Sequence, residues 1–114
     1  MARVRAVLNR SSQQHADELI TFDTLVINLR QKTVLIDDEL ITLTKTEFEL
    51  LRLLLVNRGR VLTRQQLLKQ AWPAEIIVTE RTVDVNITRL RKKIGRYAVN
   101  ILTRQGFGYY FDKL

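Results

Sequence analysis

Residues 79–94 read TERTVDVNITRLRKKI, and this stretch is predicted to form one helix with two unlike faces. At helical spacing one side carries an apolar stripe that would pack on a core. The stripe consists of Val83, Ile87, Leu90 and Ile94. The opposite side is polar and basic, with Thr82, Val85, Asn86, Arg89 and Lys93. Thr79 is expected at the N-cap and Glu80 in the first turn, where the helix dipole favours an anion.

The charge of this helix points outward. Residues 79–94 contain five cationic and two anionic side chains, which gives this short helix a net charge of +3. A rod that is basic on the side away from its core fits the major groove of B-DNA, whose base edges Arg, Asn and Thr can read. A solvated surface helix would show the same pattern, so the rest of the chain must decide between the two interpretations.

Composition narrows the class of partner. The 114 residues leave room for one domain and a short tail, and 46% hydrophobic content is enough for a core. A net charge of +7 and a pI near 10.3 favour a polyanion, with nucleic acid ahead of a ribosomal or anionic lipid surface. Without a long apolar run or a signal peptide, we expect a soluble, cytoplasmic chain with no membrane partner. Zero cysteines exclude disulfides, thiol nucleophiles and cysteine-ligated metals.

The segments before the helix predict a sheet and two capped helices. The polar residues 11–14 are expected to form a linker, and His15 at its end is expected to lie on the surface without a role. Short β-type runs at 18–22, 25–29, 33–36 and 40–42 predict an antiparallel meander with one face covered. Thr44–Glu47 and Thr63–Gln66 match the capping box and open two helices. The first helix should end near 57–59, with Gly59 at the left-handed C′ position, and the second at Trp72, before Pro73.

The segment after the helix predicts a hairpin. Residues 100–114 alternate in polarity, and 104–108 read RQGFG, which supplies the glycine that a hairpin turn needs. Two helices joined by a loop, the second basic on its exposed side, followed by a hairpin, describe a helix-turn-helix with a wing. The predicted fold is therefore α+β: a winged helix-turn-helix with an N-terminal four-stranded antiparallel sheet, three helices and a C-terminal β-hairpin wing.

Residues 43–111 closely resemble the output domain of the OmpR/PhoB family of bacterial two-component response regulators. The matching positions lie in register over about 70 residues, and the four-stranded sheet that precedes them also belongs to the family pattern. They are Leu43, Thr44, Glu47, Phe48, Leu50, Leu51, Gly59, Arg64, Leu67, Leu68, Trp72, 81–85, Ile87, 89–94, Thr103, Gly106, Gly108 and Tyr109.

The resemblance implies a DNA-binding role for particular side chains. Residues 79–94 resemble the recognition helix, in which Thr82, Val85 and Arg89 match the positions that contact bases. The positions that match phosphate contacts are Arg64, Trp72, Arg81, Asn86, Thr88, Arg91, Thr103 and Tyr109. Trp72 and Tyr109 could instead serve packing, and Asp84 is expected to pair with an arginine.

The wing departs from the family pattern at two neighbouring positions. Gln105 stands where the family usually has an arginine that enters the minor groove, and Arg104 stands where it has a hydrophobic residue. Minor-groove reading by Arg104 or Gln105 is therefore the open part of the prediction.

The resemblance also implies partners. It implies double-stranded DNA with tandem repeat half-sites, RNA polymerase at the 73–78 loop, and a homodimer on DNA driven by a phosphorylated receiver domain, itself the target of a sensor kinase. Residues 2–8 resemble the end of such a receiver, so we divide the chain into 1–15, linker and receiver end, and 16–114, the winged-helix domain. No cofactor and no metal are expected.

Three other classes of function remain as alternatives. A winged helix can use a basic face to dock on an acidic protein, which would give binding without base preference. RNA binding is disfavoured because the sequence offers no exposed aromatic cluster for stacking. An enzyme is disfavoured by the lack of cysteine, by one isolated histidine, and by the lack of a phosphate-binding glycine loop or metal-ligand spacing.

Overall fold

The computed structural model describes residues 19–113. The predicted linker and receiver end at 1–15, together with His15, lie outside the described residues. The chain divides into two compact units, the first ending at Leu40 and the second beginning at Ile41.

The first unit is built from a four-stranded sheet. Its strands are β1 (Leu19–Phe22), β2 (Leu25–Asn28), β3 (Thr33–Ile36) and β4 (Glu39–Ile41), and their order in the sheet follows the chain. Each strand begins and ends within one residue of its predicted bounds, so the meander is confirmed. Alternate side chains of β2 and β3 are buried, as a sheet with one covered face requires: Leu25, Ile27, Val34 and Ile36.

The turn between β3 and β4 explains the sharp reversal of the chain. Asp37 and Asp38 are its two central residues, with φ of 52° and 66°. A two-residue type I′ turn needs positive φ at both positions, and aspartate tolerates this region better than most side chains. The polar residues that predicted the turn are therefore also the ones that make it.

Three helices form the second unit: α1 (Lys45–Val56), α2 (Arg64–Ala71) and α3 (Glu80–Ile94). Both predicted capping boxes are present, with Thr44 and Glu47 opening α1 and Thr63 and Gln66 opening α2. Gly59 has the predicted positive φ of 80°. The C-cap of α1 is Asn57, so Gly59 lies two residues beyond the cap rather than at C′.

The core of this unit lies between the helices, which pack on one another. The predicted stripe of α3 is confirmed, because all four of its members are buried: Val83, Ile87, Leu90 and Ile94. Each such side chain contributes about 1.5–3 kcal/mol by leaving water. Burial of the stripe therefore leaves the opposite face of α3 exposed to solvent.

The predicted N-cap of α3 is confirmed, while one expectation for its outer face is wrong. Thr79 occupies the N-cap position, but its hydroxyl makes no cap hydrogen bond. The N3 amide of Thr82 donates instead to the Thr79 carbonyl oxygen at 2.9 Å. Lys93 does not belong to the free outer face, because its Nζ lies 2.7 Å from Oε1 of the buried Glu47 on α1. A buried carboxylate requires such a partner, and the long lysine side chain reaches it.

The wing belongs to a three-stranded sheet rather than to a lone hairpin. A 3₁₀ helix (Gly95–Asn100) follows α3, and then β6 (Ile101–Arg104) and β7 (Gly108–Phe111) form the predicted hairpin. β7 also pairs with β5 (Leu62–Thr63), which the sequence analysis missed. The strands approach so closely that a Cβ on Gly108 would lie 2.0 Å from the Leu62 carbonyl oxygen. The predicted α+β winged helix-turn-helix is confirmed, and its wing pairs with the short strand that precedes α2.

Candidate nucleic-acid interface

The outer face of α3 carries the three side chains predicted to read bases. Thr82, Val85 and Arg89 are spaced at i, i+3 and i+7, which places them on one side of the helix. Val85 and Arg89 are exposed and Thr82 is half-buried. Within residues 19–113 the Arg89 guanidinium has no hydrogen-bond or ion-pair partner. It is available to a group outside the chain.

Two other polar side chains of α3 bond back to their own helix. The Asn86 Nδ2 group donates to the Thr82 carbonyl oxygen at 2.9 Å, and the Thr88 hydroxyl donates to the Asp84 carbonyl oxygen at 3.0 Å. Such local bonds fix the side-chain rotamer. Asn86 keeps its amide oxygen and a second N–H for an external group, whereas the Thr88 hydroxyl proton is already used.

Asp84 joins α3 to α2 and to the wing. Its Oδ1 atom accepts a hydrogen bond from Arg64 Nε at 2.7 Å and one from the Tyr109 hydroxyl at 2.5 Å. The Arg64 guanidinium also lies over the Tyr109 ring, 5.4 Å from its centroid, within the range of a cation–π contact. The predicted pairing of Asp84 with an arginine is confirmed, and the arginine comes from the neighbouring helix.

The charges of this cluster shift the pKa values of its members. Partial burial alone would raise the pKa of the Asp84 carboxyl, but the hydrogen bonds from Tyr109 and Arg64 outweigh it and hold that pKa below its usual value. Burial, together with the bond to Asp84, raises the pKa of the Tyr109 hydroxyl. The hydrogen bond to Asp84 raises the pKa of Arg64 further. At neutral pH the cluster therefore consists of a carboxylate, a guanidinium and a neutral phenol.

Tyr109 is more enclosed than a simple phosphate contact would require. It is 5% exposed, and its hydroxyl proton is donated to Asp84. This geometry favours a role for Tyr109 in orienting Arg64 and Asp84. A direct contact with phosphate would need the hydroxyl to leave its present acceptor.

Arg91 ties the other side of α3 to the wing. Its Nη2 group donates to the Ile101 carbonyl oxygen at 2.6 Å and to the Thr103 hydroxyl at 3.0 Å, and its Nε lies 3.2 Å from the same carbonyl. Its guanidinium also stands 5.6 Å from the Tyr109 ring centroid. Arg91 and Thr103, both predicted to contact phosphate, are thus held next to each other.

The tip of the wing combines two exposed side chains of different kinds. The Phe107 N–H donates to the Arg104 carbonyl oxygen at 2.9 Å, and Gly106 has a φ of 83°, which together make a type II turn. Arg104 lies over the Tyr110 ring at 5.6 Å, while Gln105 is exposed. Phe107 is 66% exposed. Sequence reasoning missed it, although an aromatic residue between two turn glycines was the available signal.

Trp72 ends α2 and lines a groove beside the following loop. The groove has a volume of about 240 Å³. It is lined by Leu68, Lys69, Trp72, Pro73, Ala74, Ile76, Ile77 and Val78. Ile77 is almost fully exposed. The loop that was predicted to contact a protein partner therefore presents apolar side chains.

The structure brings most predicted interface residues to one assembly of α2, α3 and the wing. Within residues 19–113, hydrogen bonds, ring contacts or helix spacing connect Arg64, Thr82, Val85, Asn86, Thr88, Arg89, Arg91, Thr103 and Tyr109. Arg81 is exposed in the first turn of α3 and lowers the pKa of Asp84 through its charge. This assembly offers hydrogen-bond donors and positive charge rather than a catalytic constellation.

Residues 19–113 show neither a metal-ligand cluster nor a membrane-spanning helix. In residues 19–113 no group of three or more His, Asp or Glu side chains is placed to hold a metal ion. None of the helices found there is both long and apolar enough to span a bilayer.

Comparison with known proteins places the chain among transcriptional regulators. The family model described as "Transcriptional regulatory protein, C terminal" matches residues 37–111. The phosphate regulon transcriptional regulatory protein PhoB of Shigella flexneri is 36% identical over 114 residues, which cover 98% of this chain and 50% of that protein. The chain therefore spans about half the length of this curated relative.

Two solved structures are similar in fold to this chain. The Thermotoga maritima response regulator DrrB, described as an OmpR/PhoB homologue, gives a TM-score of 0.76 at 31% identity, over 95% of this chain and 56% of that one. The Klebsiella pneumoniae RstA DNA-binding domain, solved in complex with the RstA box, gives 0.73 at 30% identity, over 83% of this chain and 97% of that one.

Proposed function

Because the chain belongs to the OmpR/PhoB family of C-terminal transcriptional regulatory domains, we propose that it binds specific double-stranded DNA as the output domain of a two-component response regulator. The family is one of transcription regulators and not of enzymes, so no catalytic activity is assigned to the chain.

One observation carries this proposal. The inner stripe of α3 is buried, so the helix can present only its outer face, and that face carries Thr82, Val85 and the unpaired Arg89. Arg64 and Arg91 both lie within 5.6 Å of the Tyr109 ring centroid and are fixed by hydrogen bonds. A reading helix flanked by fixed cations is the arrangement that a major-groove reader requires.

The proposed contacts divide by chemistry. Thr82, Val85 and Arg89 read base edges, since a threonine or valine methyl can pack on a thymine methyl and arginine can bind guanine through two hydrogen bonds. The proposed phosphate contacts lie on α2, along α3 and on the wing. These contacts comprise Arg64, Trp72, Arg81, Asn86, Thr88, Arg91, Thr103 and Tyr109, of which Tyr109 acts chiefly by orienting its neighbours.

The wing completes the interface in the minor groove. Gln105 is the exposed polar side chain at its tip, while Arg104 is drawn over Tyr110. This geometry favours Gln105 as the minor-groove contact. Phe107 extends from the same turn and can pack on a deoxyribose.

In-vitro selection from a pool of random duplexes tests the proposal. The purified chain should enrich one motif, because direct base contacts discriminate by about 1–3 kcal/mol at each position read. A pool that stays unenriched while the chain binds an acidic protein surface would support the protein-docking alternative and reject sequence-specific DNA binding.

The full regulator is proposed to work as a dimer in the cytoplasm. Half-sites should appear as tandem repeats, with dimerisation driven by a receiver domain that a sensor kinase phosphorylates. The relative PhoB is about twice as long as this chain, which leaves room for such a domain. RNA polymerase is the proposed partner of the 73–78 loop, whose exposed Ile77 supports a protein contact. Residues 16–114 form the DNA-binding domain in this proposal, and 1–15 the linker and receiver end.

A further inference from the structure

Asp84 places a negative charge on the surface that is proposed to meet phosphates. Its side chain is 40% exposed, so its charge also acts on groups outside the protein. A carboxylate in this position repels the DNA backbone and lowers affinity for any duplex. Its presence needs a compensating advantage.

The arrangement around Asp84 indicates what that advantage is. One atom, Oδ1, accepts from Arg64 of α2 and from Tyr109 of β7, which lie 20 and 25 residues away along the chain. The bond from Arg64 uses Nε, and the ring of Tyr109 stands beneath the guanidinium at 5.4 Å. The hydrogen bond to Asp84 therefore restrains the Arg64 guanidinium in its own plane, and the Tyr109 ring restrains it on one face.

Holding a cation in place changes what it can bind. A free arginine adapts to phosphates in many positions, which is how non-specific binding arises. A fixed arginine binds a phosphate only where the duplex presents one, and it loses little conformational entropy when the fit is right. A fixed cation therefore favours duplexes whose backbone follows the required path.

We infer that Asp84 is a specificity-determining positioning residue, which restrains Arg64 and Tyr109 and whose charge weakens binding to non-cognate DNA. Asp84 contacts no base in this assignment. The inference rests on the proposed DNA-binding function and deepens it, because it explains how the chain with a net charge of +7 avoids binding every duplex equally.

Asp84→Asn is the informative variant, because asparagine keeps the shape but removes the charge, which both ends the repulsion of phosphate and weakens the hydrogen bond that restrains Arg64. The probes are the duplex enriched by selection and a random-sequence duplex of the same length. We expect affinity for the random duplex to rise about 3- to 10-fold, with a salt dependence steeper by about one phosphate equivalent. Affinity for the enriched duplex should change less than about 3-fold, because the weaker restraint of Arg64 offsets the lost repulsion there, so that the ratio of the two affinities falls.

Two further variants separate restraint from charge. Glu80→Gln is the matched control, since it removes the other carboxylate of α3, which has no hydrogen-bond or ion-pair partner within residues 19–113. It should leave the affinity ratio unchanged. Tyr109→Phe removes one donor to Asp84 without changing charge. It should weaken binding to the enriched duplex about 2- to 5-fold, roughly the worth of one hydrogen bond, and leave the salt dependence as it was.

These measurements distinguish failure of the proposed role of Asp84 from failure of the proposed DNA-binding function. If the wild-type chain shows no preference for any duplex, the proposed function fails. If the wild type prefers the enriched duplex but Asp84→Asn keeps the full affinity ratio, or Glu80→Gln lowers it as much, the role of Asp84 is overturned while DNA binding stands. Circular dichroism and urea unfolding of each variant establish that the fold is intact.

Discussion

Glu47 on α1 and Asp84 on α3 are two carboxylates with similar hydrogen bonding and different roles. Glu47 Oε1 accepts from Lys93 Nζ at 2.7 Å and from the Thr44 N–H at 2.9 Å. Asp84 Oδ1 accepts from Arg64 Nε at 2.7 Å and from the Tyr109 hydroxyl. The side chain of Glu47 is 2% exposed, whereas that of Asp84 is 40% exposed. What differs between them is contact with water.

Exposure decides what each carboxylate contributes. A buried charge must be fully paired, and removing its bonds costs stability because water cannot replace them. An exposed pair is already partly solvated, so losing it costs little free energy of unfolding. Glu47 is therefore a residue of the fold, joining the start of α1 to the end of α3, and Asp84 is a residue of the proposed binding surface.

The largest effect is expected for Glu47→Ala. It removes the capping-box acceptor of α1 and the partner of Lys93, so the free energy of unfolding should fall by about 2–4 kcal/mol. The matched control is Glu49→Ala on the same helix, where a pair with Arg52 is lost whose side chains are 20% and 29% exposed. It should cost less than about 1 kcal/mol. Urea unfolding of both variants measures the difference, and equal losses would contradict the distinction by burial.

The next effect concerns DNA rather than the fold. Arg89→Ala should weaken binding to the enriched duplex by about 1–3 kcal/mol and relax the preference at one base pair, since Arg89 is free to bond outside the chain. Stability should not change. Lys92→Ala removes another exposed cation of α3 as a control and should weaken all duplexes slightly and equally. A loss with Arg89→Ala that is equal on enriched and random DNA would remove Arg89 from the base-reading set.

Local patterns in the sequence predicted the elements well. The apolar stripe of α3 and the two capping boxes depend on residues within four positions of one another, and such spacing is visible without a fold. The resemblance added a prediction of which residues contact DNA.

Contacts between elements could not be predicted in the same way. The Glu47–Lys93 pair spans 46 residues and the Tyr109–Asp84 bond spans 25, so no local pattern records them. The placement of Lys93 on the outer face was wrong because a long flexible side chain can leave the face that its Cα indicates. The two-residue strand β5 (Leu62–Thr63) was missed because so short a strand has no periodicity of its own.

A smaller effect distinguishes fixed cations from free ones. Arg91 is held by the Ile101 carbonyl and the Thr103 hydroxyl rather than by a carboxylate. Arg91→Ala should weaken enriched and random duplexes alike by about 1 kcal/mol and reduce the salt slope by about one unit. Arg91→Lys keeps the charge but not the fork, so it should restore the salt slope without the full affinity. A loss confined to the enriched duplex would instead make Arg91 a base contact.

The smallest expected effect is a difference in acid sensitivity between the two carboxylates. Although burial alone would raise it, the Glu47 pKa lies below its usual value of 4.5, because the hydrogen bonds from Lys93 and Thr44 outweigh burial. A lowered folded-state pKa gives stability that is present above pH 4.5 and is lost as the pH falls through the folded value. Asp84 follows the same sign from its usual value of 3.8.

Urea unfolding from pH 7 downward separates the two groups. Glu47→Gln should remove the part of the slope that begins near pH 4.5. Asp84→Asn should leave that part intact and flatten only the decline below pH 3.8, and less strongly, because its exposed pair is screened by solvent. If Asp84→Asn flattened the curve as much as Glu47→Gln, exposure would not be what separates a carboxylate of the fold from one of the binding surface.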